Sequence, residues 1–176
     1  MNRSSRRLLM IAGVAAVLLL GVAIAALTND RAQPARAGAQ GPVTVTTVDG
    51  QVLTIPDGKP AVLAFVTGTC GDCLSDVQTL GEVRAQAGDR ATFLTVGTDP
   101  TASTGDITGL LRAAGHPDLP AAQDADGALA RAYHVNALGT FVVLAADGSV
   151  AYQDIKPGAD SVRAAIDHLA PAGDAR

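Results

Sequence analysis

Tryptophan is absent from the chain, and cysteine occurs only twice, at Cys70 and Cys73. With three histidines besides, a zinc site would need two further ligands, and His116 and His134 lack the spacing of a local Cys₂His₂ unit. That excludes a zinc-binding module. No cysteine follows the apolar run near the N-terminus, so an acylated lipoprotein anchor is excluded as well. No acidic residue precedes Asp30, whereas Arg3, Arg6 and Arg7 do, so the rest of the chain is more negative than the −4 of the whole. A surface of that sign disfavours nucleic acid as a partner.

What is present begins with Leu8 to Leu27, a run without a charged or strongly polar side chain. At about 1.5 Å per residue it just spans a hydrocarbon core of roughly 30 Å. The preceding arginines keep the N-terminus cytoplasmic and send everything after residue 28 across. Two readings stand: an uncleaved single-pass membrane anchor over 1–27, or a cleaved signal with secretion of the remainder. Either one exports the main domain to a compartment where a disulfide persists. Residues 28–42, rich in Ala, Gln, Gly and Pro, read as a flexible linker; 43–171 form the domain and 172–176 a tail.

Within the domain, the β-branched stretch 43–48, the turn signal Asp49-Gly50 and residues 51–55 predict a hairpin. The continuous apolar run 61–66 predicts a strand buried on both faces. Leu74, Val77, Leu80, Val83 and Ala87 recur at helical spacing and stop at Gly88. A strand over 91–96, a helix carrying Ile107, Leu110 and Leu111, and a short helix near 128–133 follow. Strands at 140–145 and 149–153 then flank a turn at Asp147-Gly148, and a helix over 161–169 closes the order. A hairpin, β-α-β-α and β-β-α describe a three-layer α/β domain.

The cysteines stand where the apolar strand gives way to a helix. Their spacing fits a redox-active disulfide, half a metal site or a small structural staple. At a helix start, unpaired N–H groups and the macrodipole favour thiolate, which makes Cys70 the attacking sulfur. Cys73, one turn in, is placed to resolve the mixed disulfide. A purely structural bridge would close so small a loop that it adds little stability, which leaves a redox-silent interaction domain as the plainest alternative.

The strand-CxxC-helix order, "GKPAVLAF" at 58–65, "VGTDP" at 96–100, "ARAYHV" at 130–135 and "TFVVLAADGSV" at 140–150 resemble thioredoxin-like proteins, especially membrane-tethered thiol-disulfide oxidoreductases of the TlpA/ResA type. The resemblance covers 43–169 and implies a thioredoxin-like sandwich without a cofactor. It implies Cys70 and Cys73 as the redox pair and Asp76 as a carboxylate that tunes the thiols or shuttles a proton; a solvent-exposed helix carboxylate is the other reading of Asp76. Gly71, Asp72, Gly139 and Thr140 would line the substrate groove. Exported proteins would be the clients, and a further redox protein would recycle the pair. Val66 and Thr69 replace the family's frequent tryptophans, Asp72 replaces a proline inside the motif, and Gly139 stands where a cis-proline is usual. Because a non-proline cis bond costs about 2.5–4 kcal/mol, the Leu138–Gly139 bond is expected to be trans. An added carboxylate at Asp72 opposes thiolate and should make the pair less oxidising. Copper chaperones of the Sco type share the implied fold and the Asp99-Pro100 dipeptide. In that reading Cys70, Cys73 and His134 would bind copper.

Overall fold

The structure, a computed structural model, describes residues 41–169. The expected anchor, nearly all of the linker and the tail lie outside them. Among the described residues no helix is long and apolar enough to cross a membrane.

The apolar run Ala61–Val66 forms β3, and all six of its residues are buried. Its placement explains that burial. β3 is the middle strand of a five-stranded sheet of order β5-β4-β3-β6-β7. Here β4 is Thr92–Gly97, β5 Ala121–Gln123, β6 Thr140–Leu144 and β7 Val150–Ile155. β4 and β5 run parallel to β3 and β6 antiparallel to it, with Phe65 opposite Val96 and Thr140. The C-terminal end of β3 therefore meets the end of β4 and the start of β6.

Alternation along β3 divides the core in two. Val62, Ala64 and Val66 pack with helices α1 (Cys73–Ala87), α2 (Thr104–Ala113) and α4 (Ala159–Leu169). Ala61, Leu63 and Phe65 face the other way, toward Leu129 and Tyr133 at the short helix α3 (Ala128–Ala132). Val43, Val45 and Leu53 of a separate two-stranded sheet join that side; its strands are β1 (Val43–Thr46) and β2 (Val52–Ile55). Helices, sheet, and hairpin with α3 make the three layers expected from the element order.

Three details differ from the expectation. The β1–β2 connection is longer than a two-residue turn, because Thr47 keeps only half of its ladder pairing: its amide donates to the Gln51 carbonyl at 2.8 Å, but the Gln51 amide donates to the Thr47 hydroxyl at 2.9 Å. β5 was not anticipated; Ala-Ala-Gln carries no strand signal and is a strand only because it pairs with Thr95–Gly97. Helix α1 starts at Cys73 itself, so Cys70 lies in the turn ahead of it rather than at the helix start.

Candidate functional site

Residues 67–72 carry the chain from the end of β3 to α1. Two contacts hold this loop. The Thr98 amide at the end of β4 donates to the Val66 carbonyl at 2.9 Å. Gly68 lies against the first turn of α2, so closely that a β-carbon there would come within 2.6 Å of Asp106 Cβ and 2.7 Å of its backbone carbon. Any larger residue at 68 would push the cysteine loop off α2. The turn at the cysteines is closed by the Cys73 amide donating to the Cys70 carbonyl at 3.1 Å.

Both cysteines are free thiols with unequal surroundings. Cys70 is half-buried at the mouth, and Cys73 is 0% exposed. Burial, then its hydrogen bond with the Cys70 sulfur, pushes the Cys73 thiol up to about 12, and the charges of Cys70 and Asp76 push the same way; a backbone hydrogen bond with Thr67 opposes the rise. At neutral pH Cys73 is accordingly a thiol.

Asp76, one turn into α1, is 3% exposed, so it is not a solvent-facing helix carboxylate. Its Oδ2 is buried without a hydrogen-bond partner. Burial raises its pKa; the Lys156 charge pulls it down and the Asp72 charge pushes it up. An unpartnered buried oxygen with raised proton affinity, electrostatically coupled to Cys73, is suited to accept a proton.

Gly139 forms the floor beside this carboxylate. Its amide donates to Phe65 O at 2.8 Å, and its carbonyl accepts from the Lys156 amide at 2.7 Å. The residue has φ +76°. A β-carbon there would lie 2.8 Å from Lys156 Cγ and 2.9 Å from Asp76 Oδ2, so only glycine fits between them. Among the described residues the sole cis peptide is Ile55–Pro56; the Leu138–Gly139 bond is trans, as expected. Thr140 is 1% exposed, and its hydroxyl donates back to the Ala137 carbonyl at 2.7 Å, so that side chain turns inward from the groove.

Gly71 and Asp72 are exposed. Asp72 Oδ2 pairs with Lys156 Nζ at 2.9 Å. Sequence reasoning missed Lys156, which follows β7 and meets the cysteine motif only through the fold. Its left-handed backbone, φ +50°, is unusual for a residue with a side chain. The pairing also changes the expectation for Asp72, whose carboxylate acts beside a cation and not alone.

The rim is apolar. Of the three large hydrophobic side chains exposed among the described residues, Leu138 (40%) precedes Gly139 and Ile155 (52%) precedes Lys156. Next to Leu138 lies a cavity of about 240 Å³ lined by Thr98, Ala130, Val135, Asn136 and Ala137. His134 is exposed, and among the described residues no three His, Cys, Asp or Glu side chains converge as a metal site would require.

No family model matches the chain. Over 139 residues it is 35% identical to the "Mercury resistance operon ORF3" protein of Streptomyces lividans, a match spanning 77% of this chain and 74% of that one. Among solved structures, a secreted Mycobacterium tuberculosis disulfide oxidoreductase homologous to E. coli DsbE superposes with TM-score 0.61 at 26% identity, covering 72% of this chain and 96% of that chain. StoA from Bacillus subtilis (TM-score 0.61, 21% identity, 71% and 96% covered) has the same fold. So does the exposed lipoprotein thioredoxin Etrx1 of Streptococcus pneumoniae (TM-score 0.64, 23% identity, 73% and 100% covered). The chain belongs to the family of the Streptomyces relative, and its fold places it among the thioredoxin-like proteins of the thiol-disulfide oxidoreductase type.

Proposed function

We propose that the protein exchanges disulfides with exported proteins through Cys70 and Cys73. One observation carries this reading: the two thiols are unequal, Cys70 reachable and Cys73 wholly buried in electrostatic reach of the unpartnered carboxylate Asp76. In the reducing direction the Cys70 thiolate attacks a client disulfide. One client sulfur joins Cys70 and the other leaves as a thiolate that takes up a proton. Cys73 then passes its proton to Asp76 and attacks the Cys70 sulfur. The protein disulfide forms, and the second client sulfur leaves as a thiolate that takes the Cys73 proton from Asp76. The client dithiol has gained two electrons from the protein, with one proton from Cys73 and the other from solvent. Oxidation of a client dithiol is the same sequence reversed. Leu138 and Ile155 supply apolar contact for the client backbone and side chains around its cysteine.

The arginines and apolar run ahead of residue 28 support an extracytoplasmic setting, with the domain tethered to the membrane and a separate redox protein restoring the pair. The test is reduction of insulin disulfides with dithiothreitol as the final reductant. Wild type should accelerate the reaction and Cys70→Ser should lose the acceleration by on the order of 100-fold or more. A wild type no faster than reductant alone would leave a redox-silent domain; an active Cys70→Ser would also end the reading.

A second reading follows from the mercury-resistance label of the relative. Two thiolates suit a soft cation, and a mercuric ion could be carried as cargo by the reduced pair. Copper bound with His134 as third ligand finds no assembled ligand set among the described residues. Titrating the reduced protein with mercuric ion separates the readings: one-to-one binding that needs both cysteines, without any insulin reduction, would favour metal carriage.

A further inference from the structure

Two carboxylates stand beside the cysteine pair, Asp72 within the motif and Asp76 beneath it, and among the described residues one cation, Lys156, faces them. Lys156 reaches them from the turn between β7 and α4. Its ammonium is 2.9 Å from Asp72 Oδ2, and its Cγ passes 2.8 Å from where a Gly139 β-carbon would lie, next to Asp76 Oδ2 at 2.9 Å from the same point. The other charged groups near α1 are engaged elsewhere. On α4, Arg163 pairs with Asp160 and Asp167 with Arg90. β3 and β6 carry no titratable side chain.

The backbone at this position argues in the same direction. Lys156 is held at φ +50° by the hydrogen bond its amide donates to the Gly139 carbonyl at 2.7 Å. A left-handed residue other than glycine costs roughly 1–2 kcal/mol. The Asp72–Lys156 pair does not return that in folding free energy, because its side chains are 80% and 46% exposed and solvent screens such a pair. A strained lysine whose ion pair adds little stability, with its charge at the redox loop, is better explained by what it does to the sulfur.

We propose that Lys156 is a positioning residue of the exchange site: clamped on Asp72 over Gly139, it places a positive charge that offsets both carboxylates and favours the Cys70 thiolate. The proposal rests on the exchange chemistry assigned to Cys70. The exchange runs through Cys70 as the attacking thiolate, so the charge that develops on its sulfur in the reaction is the charge Lys156 meets. Without the lysine, thiolate forms between two carboxylates and the disulfide is favoured.

The test is equilibration of the full-length protein with glutathione redox buffers at neutral pH, beside the rate at which iodoacetamide alkylates Cys70. In Lys156→Met the equilibrium should move toward the disulfide by roughly two- to fivefold, the upper part of what a solvent-screened charge supplies, and alkylation should slow in parallel. Lys156→Arg should stay near wild type, and adding Asp72→Asn to Lys156→Met should recover part of the shift. Lys156→Gly supplies the readout that a structural role would not move: it relieves the backbone strain and keeps or raises the thermal midpoint, yet shifts the equilibrium as Lys156→Met does. Equilibria of Lys156→Met and Lys156→Gly within about 1.5-fold of wild type would overturn the proposal. A shift of equal size in Lys156→Arg would overturn it too. Alkylation needs no turnover, so an unchanged alkylation rate sinks this inference alone, whereas failure of wild type to reduce insulin sinks the exchange reading.

Discussion

Replacing Gly139 with alanine tests whether the floor of the site is as tight as its geometry indicates. The residue has φ +76°, which costs alanine about 1–2 kcal/mol. The new methyl would lie 2.8 Å from Lys156 Cγ, 2.9 Å from Asp76 Oδ2 and 3.3 Å from Asp76 Cγ. Overpacking of that kind costs about 1–3 kcal/mol, offset by roughly 0.4–1 kcal/mol from the stiffer unfolded chain. The net loss is about 2–4 kcal/mol, a large share of the 5–15 kcal/mol typical of a domain. Urea unfolding of the reduced protein, followed by far-ultraviolet circular dichroism because the chain has no tryptophan, should show the midpoint falling by roughly 1–2 M with unchanged slope. The nearest obstacle is the lysine stem, so the penalty should shrink by about 1 kcal/mol in a Lys156→Gly background. An unchanged midpoint, or the full penalty without the lysine, would refute the reasoning. Gly139→Pro should be worse still. Proline holds φ near −65° and has no N–H for the bond to Phe65 O, so the family's usual residue cannot be restored here without rebuilding the turn.

Asp76→Asn should stabilise the protein at neutral pH. Burial raises the folded-state pKa, so the folded protein binds the proton more tightly, and Asp76 costs stability as pH rises from the unfolded value through the folded one. The gain, measured by urea midpoints across pH, should vanish below the unfolded carboxyl range near pH 4, and a gain that persists there would contradict the buried-carboxylate argument. The same variant should slow the resolving step. Cys73→Ala should accumulate a mixed disulfide between Cys70 and client, seen as a reductant-sensitive band, because nothing remains to release it; rapid turnover without Cys73 would show that resolution comes from elsewhere. Gly81→Ala improves helix propensity by about 1 kcal/mol, yet it should destabilise, since its methyl would meet the His116 ring at 2.3 Å. Thermal melts should show the loss removed when His116→Ala is added.

The central strand, the helix after it and the redox junction were legible because each is a local pattern. Six apolar residues in succession, too few for a helix and preceded by Pro60, read as a strand covered on both faces, and Gly88 ends the periodicity of α1 with φ +56°. What was not legible is non-local. β5 exists through its neighbour and not through its composition. Asp76 shares the apolar face of α1 with Cys73 and Leu80. The sequence left two readings of it, a thiol-tuning carboxylate or a solvent-exposed one, and the contact with Gly139 that decides between them comes from the turn ahead of β6. Lys156 meets Asp72 across 84 positions of chain, a separation over which no periodicity carries information. The motif thus announced its chemistry, while the charges that surround it were assembled by the sheet.

The contact between Gly68 and α2 has a consequence away from the groove. Asp106, which abuts Gly68, also closes the helix cap: its Oδ2 accepts from the Ser103 amide at 2.7 Å and from the Ser103 hydroxyl at 2.8 Å. A fraying first turn of α2 would therefore release the backstop of the cysteine loop. The sulfur inherits part of its precision from a serine and an aspartate that never meet it, so reactivity can be retuned from the far side of the loop with the client-facing surface left intact.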